Sequence, residues 1–519
     1  MSLKYFNKYK HKIITVKELK INNFKKKKLK TVLCHGVFDV VHPGHLRHLA
    51  HAKTKGDILI VSLTSDKYIK KGIYRPHVPE TLRALNLSVF ELIDFVIIDN
   101  NKTANKILKQ LRPDYYVKGF EYTSKGLPEA TREELKIVKS YGGRMVFSPG
   151  DFVYSSSRFL ETHLPSLSVE KLNLLMDTNN ITFDDLKKVC NKFKKLNVHV
   201  VGDTIVDSYT RTAFIGGQTK TPTFSVLKQS VDNYLGGAAI VALHLKEAGA
   251  NVTFTSVLGN DQLGKFVIKK LKQKKIKIKI ITDLSRPTVN KNTIQTGTYK
   301  LLKLDTLDNS PISDEILNKI CKNLKSTKSD IVILSDFRHG IFNKKSIPHI
   351  IKSIPKKVFK VADSQVASRW GNILEFKNFD LITPNEREAR FSLGDQDSSI
   401  GSLSESLEKN SKSKNLILKL GDKGIFCKQN RKEKISSNPI YFSLDSYAGH
   451  VVDAVGAGDA LLAYSSLGLK NTKSLVIASI LGSLAAACEC EIDGNIPISL
   501  RKMRNKIDKI QVQTSYKDT

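Results

Sequence analysis

The chain has 519 residues, of which 84 are Lys or Arg and 50 are Asp or Glu, so its formal net charge is +34. A hydrophobic content of 40% is enough to build packed cores and excludes a mainly disordered chain. At about 150 residues per domain, this length predicts two or three domains.

The sequence pattern predicts neither a membrane-spanning helix nor a secretory signal. No apolar run reaches the roughly 18–20 residues that a membrane-spanning helix needs, and the longest candidate, 475–488, is typical of a buried helix. The N-terminal residues lack the apolar core of a secretory signal. The six cysteines form no pair with zinc-site spacing. We therefore predict a cytoplasmic protein with free thiols and no membrane partner.

The positive charge is compatible with nucleic-acid binding. However, only 16 of the 84 basic residues are Arg, and the lysines are spread over nearly every predicted helix. Proteins that bind nucleic acids usually rely on Arg and on interleaved aromatic residues. We interpret the lysines mainly as solvated surface and expect no nucleic-acid partner, while a positive field also suits small anionic substrates.

Strand and helix patterns alternate in the first third of the chain. The strand patterns lie at 31–40, 56–66, 90–99, 113–119 and 142–149. Such alternation predicts a parallel sheet with ligands at the carboxyl ends of its strands. We expect one small Rossmann-like α/β domain over residues 30–165.

The same alternation returns after a predicted connector at 166–196, in which Thr182 is placed to cap a helix. The later strand patterns lie at 197–207, 252–259, 330–337, 358–364, 380–386 and 415–424, and helical patterns follow around 459–510. We expect one large doubly wound α/β domain over residues 197–512. The polar stretch 393–414 is predicted to begin as a surface loop.

The first group of reactive residues is HPGH at 42–45, between a predicted strand and a predicted helix. Backbone N–H groups at a helix N-terminus favour phosphate, and Gly44 lets the backbone come close to it. Two imidazoles can donate hydrogen bonds to a phosphate as negative charge develops on it. A metal site and ordinary surface histidines are the alternatives. The pattern predicts a nucleotide site at the start of this helix.

The surrounding segment, HGVFDVVHPGHLRHLAHAK, resembles the cytidylyltransferase-like nucleotidyltransferases, and the resemblance covers about residues 30–165. It implies that His42 and His45 stabilise the transition state as a phosphate oxygen attacks a nucleoside triphosphate and pyrophosphate leaves. It also implies a set of residues near the phosphates. These are Lys70, Lys71, Gly72, Arg83, Ser155 and Ser156, while the pair Lys118-Gly119 resembles the VKG segment of the family.

One departure bears on the nucleotide. Glycerol-phosphate cytidylyltransferases carry an Arg at the position of Gly150 in this sequence. Its absence favours the heptose-type adenylyltransferase branch, which lacks that Arg as well. The resemblance therefore implies ATP as the nucleotide substrate of this domain, with CTP left open.

The second group of reactive residues is DAVGAGD at 453–459, at the start of a predicted helix. Gly-Ala-Gly leaves backbone N–H groups available as an anion hole for a transferring phosphoryl group. An Asp just inside the helix can accept a hydroxyl proton and orient the nucleophile. A generic glycine-rich helix start is the alternative. The complete DxxGAGD pattern predicts a site for phosphoryl transfer.

This segment resembles the signature of ribokinase-like (pfkB) sugar kinases, over about residues 197–510. The resemblance implies that Asp459 is the catalytic base and that Gly456, Ala457 and Gly458 form the anion hole. It implies that Asn385 and Glu388 organise Mg²⁺ through water and phosphate, although helix capping would also explain them. It assigns the LKLGDKG segment to ATP, through Lys419, Gly421, Asp422 and Gly424.

The resemblance extends to the sugar, with two departures. It implies that Asp207 binds sugar hydroxyls and that Gly236 and Gly237 contact the sugar. Ile240 stands where sugar kinases usually have an Asn, and an apolar side chain cannot replace that amide. The turn at 363–365 reads Asp-Ser-Gln, where heptose kinases show Asp-Pro-Lys, so a lysine is missing.

The two domains together resemble the bifunctional heptose-7-phosphate kinases/heptose-1-phosphate adenylyltransferases of lipopolysaccharide core synthesis, which usually carry the kinase first. The resemblance implies Mg²⁺, nucleoside triphosphates and sugar phosphates as ligands, and no covalent enzyme intermediate. It also implies a homodimer, formed through a lid at 212–234. A basic nucleic-acid-binding or regulatory protein built on a degenerate sugar kinase is the alternative.

Overall fold

The computed structural model describes residues 7–19, 24, 27–69, 76–119, 128–148, 168–216, 223–366, 370–430 and 440–514. The chain divides into two compact units, with the boundary between residues 167 and 168. Both units are α/β, which confirms the predicted fold class.

The first unit is built on a five-stranded parallel sheet. Its strands are β1 (Thr31–Gly36), β2 (Ile58–Thr64), β3 (Phe95–Asp99), β4 (Tyr115–Lys118) and β5 (Arg144–Phe147). They lie in the order β3-β2-β1-β4-β5. The strand order reverses between β1 and β4, and ligands of such sheets bind at this point, beyond the carboxyl ends of the strands.

The helices of the first unit cover both faces of this sheet. They are Asn7–Lys10, Pro43–Lys53, Glu80–Ser88, Asn105–Leu111 and Glu129–Ser140. Successive side chains of a strand point to opposite faces. Val32 and Cys34 accordingly lie in one apolar cluster, and Leu33 lies in the other.

The second unit contains a nine-stranded sheet in the order β10-β9-β6-β13-β14-β15-β16-β17-β18. Its strands are β6 (Asn197–Gly202), β9 (Asn251–Gly259), β10 (Lys277–Asp283), β13 (Ile331–Asp336), β14 (Phe359–Ser364), β15 (Leu381–Ile382), β16 (Asn415–Lys419), β17 (Ile425–Gln429) and β18 (Ile440–Leu444). The strands from β10 to β16 are parallel, whereas β17 runs antiparallel to both of its neighbours, β16 and β18.

A separate four-stranded sheet, which we call the lid sheet, has the order β12-β11-β7-β8. Its strands are β7 (Thr204–Gly216), β8 (Ser225–Gly237), β11 (Asn290–Thr296) and β12 (Tyr299–Thr306). The predicted lid at 212–234 lies within this sheet, apart from 217–222, which fall outside the described residues. The lid sheet begins beside the carboxyl end of β6, so its first residues reach the site described below.

The helices of the second unit pack around the nine-stranded sheet. They are Ser168–Thr178, Phe183–Lys192, Ala238–Glu247, Gln262–Gln273, Asp314–Ser326, Ser346–Ser353, Glu386–Leu393, Ile400–Ser411, Ala457–Thr472, Leu475–Cys490 and Leu500–Thr514. The helix Leu475–Cys490 is buried along most of its length, as predicted. Across the part of the chain that the structure describes, no helix is long and apolar enough to cross a membrane.

The segment that we predicted as a connector, 166–196, is largely helical where the structure describes it. Thr182 caps its second helix: Thr182 Oγ1 accepts from Asp185 N at 3.1 Å, and Asp185 Oδ2 accepts from Thr182 N at 3.0 Å. Leu172 and Leu186 lie in the apolar core of the second unit. These helices therefore pack as part of that unit, while the domain boundaries themselves stay a prediction.

Candidate active sites

The DAVGAGD segment forms the turn that starts the helix Ala457–Thr472. Gly456 precedes this helix with φ 87°, a left-handed conformation that favours glycine. A Cβ there would collide with Asn495 Oδ1. The backbone N–H groups that follow begin the helix and point along its axis, where they favour an anion. Ala457 N donates to Ala454 O at 3.4 Å and Asp459 N donates to Gly456 O at 2.9 Å, so the anion hole of Gly456, Ala457 and Gly458 stays a prediction.

Asp459 lies in the first turn of the same helix, and only 8% of it is exposed. Burial raises the pKa of its carboxyl well above the ordinary value, Asp363 adds to the shift, and Lys419 opposes it. A carboxylate with a raised pKa is a stronger proton acceptor than an ordinary Asp. This environment suits a general base, and the role of Asp459 as that base stays a prediction.

Lys419, at the end of β16, reaches toward Asp459 and not toward the turn that follows it. Its Nζ lies 3.1 Å from both carboxylate oxygens of Asp363, at the end of β14. A Cβ added to Gly458 would lie 3.4 Å from the same Nζ, so the ammonium lies against the predicted anion hole. The turn carries Gly421, Asp422 and Gly424, and Asp422 is exposed there.

Asn385 and Glu388 cap the helix Glu386–Leu393 through a reciprocal pair of hydrogen bonds. Asn385 Oδ1 accepts from Glu388 N at 2.8 Å, and Glu388 Oε2 accepts from Asn385 N at 2.6 Å. Glu388 is buried, which raises its pKa to about 7; Lys419 opposes this shift and Asp363 adds to it. The capping that we weighed as the alternative is therefore present.

The capping bonds limit the number of oxygens that Asn385 and Glu388 can offer to Mg²⁺. They occupy the Asn385 amide oxygen and one Glu388 carboxylate oxygen, which leaves these residues few oxygens for direct ligation. Among the described residues, no group of three or more His, Cys, Asp or Glu side chains is arranged to hold a metal ion. The residues therefore suit a Mg²⁺ held mainly by phosphates and water, which is the usual manner of this ion.

Asp207 and the double glycine meet where β7 and β8 leave the nine-stranded sheet. Ile205 pairs with Gly236 and Asp207 with Tyr234 across these strands. A Cβ at Gly236 would collide with Asp207 Oδ2, so this glycine makes room for the carboxylate. Burial raises the pKa of Asp207, while Lys291 opposes the shift. Asp207 is thus largely withdrawn from water, and the positive charge of Lys291 acts on it.

Asn495 is a residue of this site that the sequence reading missed. Its Nδ2 lies 3.5 Å from Asp207 Oδ2, and its buried Oδ1 has no hydrogen-bond partner among the described residues. It follows the helix Leu475–Cys490 and also lies close to Gly456, so it connects Asp207 with the turn that starts the helix Ala457–Thr472. A single Asn in a polar loop carries no signal in the sequence.

Ile240 is packed into the apolar core of the second unit. It lies in the helix Ala238–Glu247, is fully buried, and belongs to the main apolar core of the second unit. The side chain therefore packs where an amide would be left without water. The departure that we noted at this position is explained by core packing in this chain.

In the first unit, HPGH forms the start of the helix Pro43–Lys53. The ring of His42 caps the helix, since its Nδ1 accepts from Gly44 N at 3.2 Å. The His42 and His45 rings lie 4.0 Å apart between centroids, and Phe38 packs on His45. Burial, followed by His42 and His48, lowers the pKa of His45 to about 4. His45 is therefore neutral at pH 7 and offers a hydrogen bond without a formal charge.

Among the residues predicted near the triphosphate, Arg83 already makes several hydrogen bonds within the protein. Arg83 is fully buried and donates to Thr64 O at 3.0 Å, to Asp66 Oδ1 at 2.5 Å and to Val37 O. It braces the carboxyl ends of β1 and β2, and its buried Nε has no hydrogen-bond partner among the described residues. Its phosphate role stays a prediction.

Lys118 is likewise engaged within the protein. It is buried and its Nζ lies 2.5 Å from Glu134 Oε2. Gly119 follows it directly after β4. The remaining predicted phosphate ligands lie outside the described residues: Lys70, Lys71, Gly72, Ser155 and Ser156, together with Gly150.

Two family models match the chain. Residues 195–501 match the model described as pfkB family carbohydrate kinase, and residues 33–161 match the one described as cytidylyltransferase-like. Among solved structures, the chain is similar to the tetrameric inhibited form of phosphofructokinase-2 from Escherichia coli, with a TM-score of 0.50 and 15% identity. The alignment covers 61% of this chain and 99% of that one. This likeness shows the sugar-kinase fold.

Similar curated proteins carry the name Bifunctional protein HldE. The one from Campylobacter jejuni (strain RM1221) is 28% identical over 317 residues, which are 60% of this chain and 65% of that protein. The one from Geotalea uraniireducens (strain Rf4) is 39% identical over 116 residues, which are 22% of this chain and 23% of that protein. The chain thus spans less than two thirds of the length of each in these alignments.

The order of the two matched regions is the reverse of the usual arrangement in bifunctional relatives, since the cytidylyltransferase-like region comes first. The kinase model covers more than half of the chain and includes Asp207, Lys419 and Asp459. The chain belongs to the pfkB family of carbohydrate kinases and carries a cytidylyltransferase-like domain ahead of its kinase domain.

Proposed function

We propose that the second unit phosphorylates a sugar phosphate with ATP. The observation that carries this proposal is the meeting of Asp459, the anion-hole helix start and Asp207 within one unit. In the proposed step, a sugar hydroxyl oxygen bonds to the γ-phosphorus of ATP as the bond from this phosphorus to the β–γ bridging oxygen breaks. The hydroxyl proton passes to Asp459, and ADP leaves.

Mg²⁺, when bound, neutralises charge on the ATP phosphates. Asn385 and Glu388 would hold it through water and phosphate. The residues of the chain supply the remaining effects, which are positioning and charge stabilisation. Asp207 orients the sugar hydroxyls, and the N–H groups after Gly456 stabilise the transferring phosphoryl group.

The proposed sugar carries a phosphate already, and heptose 7-phosphate is the substrate that the family resemblance favours. Lys291 of β11 pairs in register with Asp207 of β7, so both side chains lie on the same face of the lid sheet. Lys303 of β12 lies on that face as well, since it pairs with Thr293, two residues from Lys291. A cation this close to a sugar-binding carboxylate supports an anionic substrate.

We propose that the first unit transfers a nucleotide to a sugar 1-phosphate. A phosphate oxygen of the sugar bonds to the α-phosphorus of the triphosphate as the bond to the α–β bridging oxygen breaks, and pyrophosphate leaves. The pair of neighbouring rings of His42 and His45 at a helix start supports this role, because imidazole N–H groups can donate hydrogen bonds to a phosphate as charge develops on it. ATP would give an ADP-sugar, and CTP would give a CDP-sugar.

We also infer a cytoplasmic homodimer that joins through the lid sheet. Phe214, Val231, Leu302 and Leu304 lie on one face of this sheet by register, and each is at least 40% exposed. Exposed apolar patches of this kind usually mark an interface. A second copy of the chain would cover the patch.

A screen of sugar phosphates against ATP and CTP tests both reactions at once. Mass spectrometry of each mixture reports phosphorylated sugar and nucleotide sugar separately. We expect a bisphosphate from heptose 7-phosphate and an ADP-sugar from heptose 1-phosphate. The absence of both products across phosphorylated heptoses and related sugars would contradict the proposal.

A further inference from the structure

The transfer site of the second unit contains several buried carboxyl groups around a single ammonium. Lys419 Nζ contacts Asp363, and its charge also acts on Glu388 and Asp459. The Lys419 side chain is 13% exposed and that of Asp363 is 4% exposed. These acidic groups alone would repel a triphosphate, and Lys419 is the cation that the described residues place among them.

Hydrogen bonds hold the ammonium in a fixed place close to the predicted anion hole. Asp363 Oδ1 also accepts from Thr383 Oγ1 at 3.0 Å, which fixes the carboxylate that holds Lys419. The backbone of Lys419 is fixed too, because its N–H donates to Pro384 O at 2.9 Å. A Cβ added to Gly458 would lie 3.4 Å from Nζ, which places the ammonium close to the start of the helix Ala457–Thr472.

We propose that Lys419 is a catalytic residue that contacts the γ-phosphoryl group during its transfer, with Asp363 as the positioning residue that holds it there. This inference rests on the kinase function proposed above. It gives Lys419 a different task from the nucleotide binding that the sequence suggests, since its ammonium points away from the turn at 421–424. In the transfer step, Lys419 neutralises charge on the γ-phosphate oxygens and exchanges no proton.

The position of the Lys419 ammonium also compensates for a lysine that heptose kinases carry after β14 and that this chain lacks. Gln365 stands where heptose kinases carry that lysine, and its backbone N–H donates to Asp336 O at 2.9 Å. In this chain, the lysine comes from β16, two strands away from β14 in the sheet, and reaches the end of β14 through its contact with Asp363. The departure at Gln365 therefore leaves the site with a cation.

The test separates transfer from nucleotide binding and from a purely structural ion pair. Lys419→Met removes the ammonium and keeps the length of the side chain. Asp363→Asn combined with Lys419→Met removes both charges, so that no unpaired carboxylate stays buried. Lys414→Met is the matched control, because Lys414 precedes the same strand and pairs with Asp380 at its exposed surface.

Steady-state kinetics with heptose 7-phosphate should show kcat about 100- to 1,000-fold lower in both Lys419 variants, as for the loss of one donor to a transition-state oxyanion. The KM for ATP should stay within about twofold, because the contact is made in the transition state. Calorimetric titration with ATP should give an unchanged Kd. Lys414→Met should match the wild type.

A wild-type kcat in the folded double variant would overturn the inference, and so would a loss confined to the KM and Kd for ATP. A wild-type protein without sugar-dependent ADP formation would instead contradict the proposed kinase function. Lys419→Met alone could lower kcat simply by destabilising the protein, and a lower melting temperature would reveal this. In that case the double variant distinguishes the two roles, because its kcat should recover if Lys419 serves only in a structural ion pair and should stay low if Lys419 is catalytic.

Discussion

At the scale of single residues, the proposed kinase site needs a residue without a Cβ beside the Asp207 carboxylate. Gly236 has no Cβ, and the Asp207 carboxylate occupies the space that one would fill. Motif spacing predicted both residues but not their contact, since the two lie on paired strands and 29 positions apart. Asn495 had no motif at all, and only the fold brings it to Asp207.

Gly236→Ala should therefore weaken sugar binding more than it weakens folding. The new Cβ displaces Asp207 from the orientation in which it binds hydroxyls. We expect the KM for the sugar to rise by about tenfold or more, as for an interaction of roughly 1.4 kcal/mol, with nucleotidyl transfer unchanged. Gly401→Ala is the control, because a Cβ there meets only Ser399 Oγ at 3.9 Å. An unchanged KM for Gly236→Ala would show that Asp207 does not bind the sugar.

The neutral state of His45 predicts a pH profile for nucleotidyl transfer. Burial lowers the pKa of His45 to about 4, so the ring is uncharged above about pH 5. If the neutral ring is the working form, kcat/KM should stay flat from pH 6 to pH 8. A site that needs a charged imidazole of ordinary pKa would instead lose activity as the pH rises through about 6.5. Pyrophosphate release, measured across this range, distinguishes the two.

At the scale of elements, strands were easier to predict than the sheets they form. Short apolar runs located the five strands of the first unit and the central parallel strands of the second, because buried parallel strands are apolar on both faces. Sequence patterns did not predict β10, β17 or β18 of the nine-stranded sheet. The capping box at Thr182 was also visible, because its two residues lie three positions apart. The lid sheet was only partly foreseen. Asn and Thr dominate β11, and β12 mixes Lys with Leu, so neither strand has the continuous apolar pattern of a buried strand.

The exposed apolar face of the lid sheet predicts an association that charge can break. Leu302→Asp with Leu304→Asp places two carboxylates in the patch that a second copy would cover. We expect the wild type to elute as a dimer in size-exclusion chromatography with light scattering, and the variant as a monomer. Lys300→Asp is a control on the same strand, since it pairs with Gln295 and lies on the opposite face. A wild-type monomer at micromolar concentration would contradict the proposed interface.

At the scale of the whole molecule, two motifs in separate α/β units predicted both the fold classes and their order. The unit boundary was harder to place, because 168–192 are polar enough to suggest a connector and yet pack through Leu172 and Leu186. Charge predicted little about function. The basic residues that the structure brings to the kinase site, such as Lys419 and Lys291, are few among 84.

Buried histidines predict how the stability of the second unit depends on pH. Burial lowers the pKa of His199 and His244 to about 3 in the folded chain, against 6.5 when exposed. The stabilisation is complete above pH 6.5 and is lost as the pH falls toward 3, by up to about 1.4 kcal/mol per pH unit for each ring. The melting temperature should therefore fall between pH 7 and pH 5.

His199→Val should make that fall smaller, because one of the titrating rings is removed. His349→Gln, at an exposed ring, should leave it unchanged. Scanning calorimetry at both pH values measures the difference. An equal fall in wild type and His199→Val would show that this ring does not titrate on unfolding.

The central claim is that one chain carries two independent active sites, and ³¹P NMR of the reaction products tests it most directly. The wild type, Asp459→Asn and His45→Ala are each incubated with Mg²⁺-ATP and either heptose 7-phosphate or heptose 1-phosphate. We predict that Asp459→Asn loses the sugar bisphosphate and ADP but still yields pyrophosphate and an ADP-sugar, and that His45→Ala does the opposite. Two results would contradict the presence of two independent sites: either folded variant loses both the sugar bisphosphate and the ADP-sugar, or both variants still make both products.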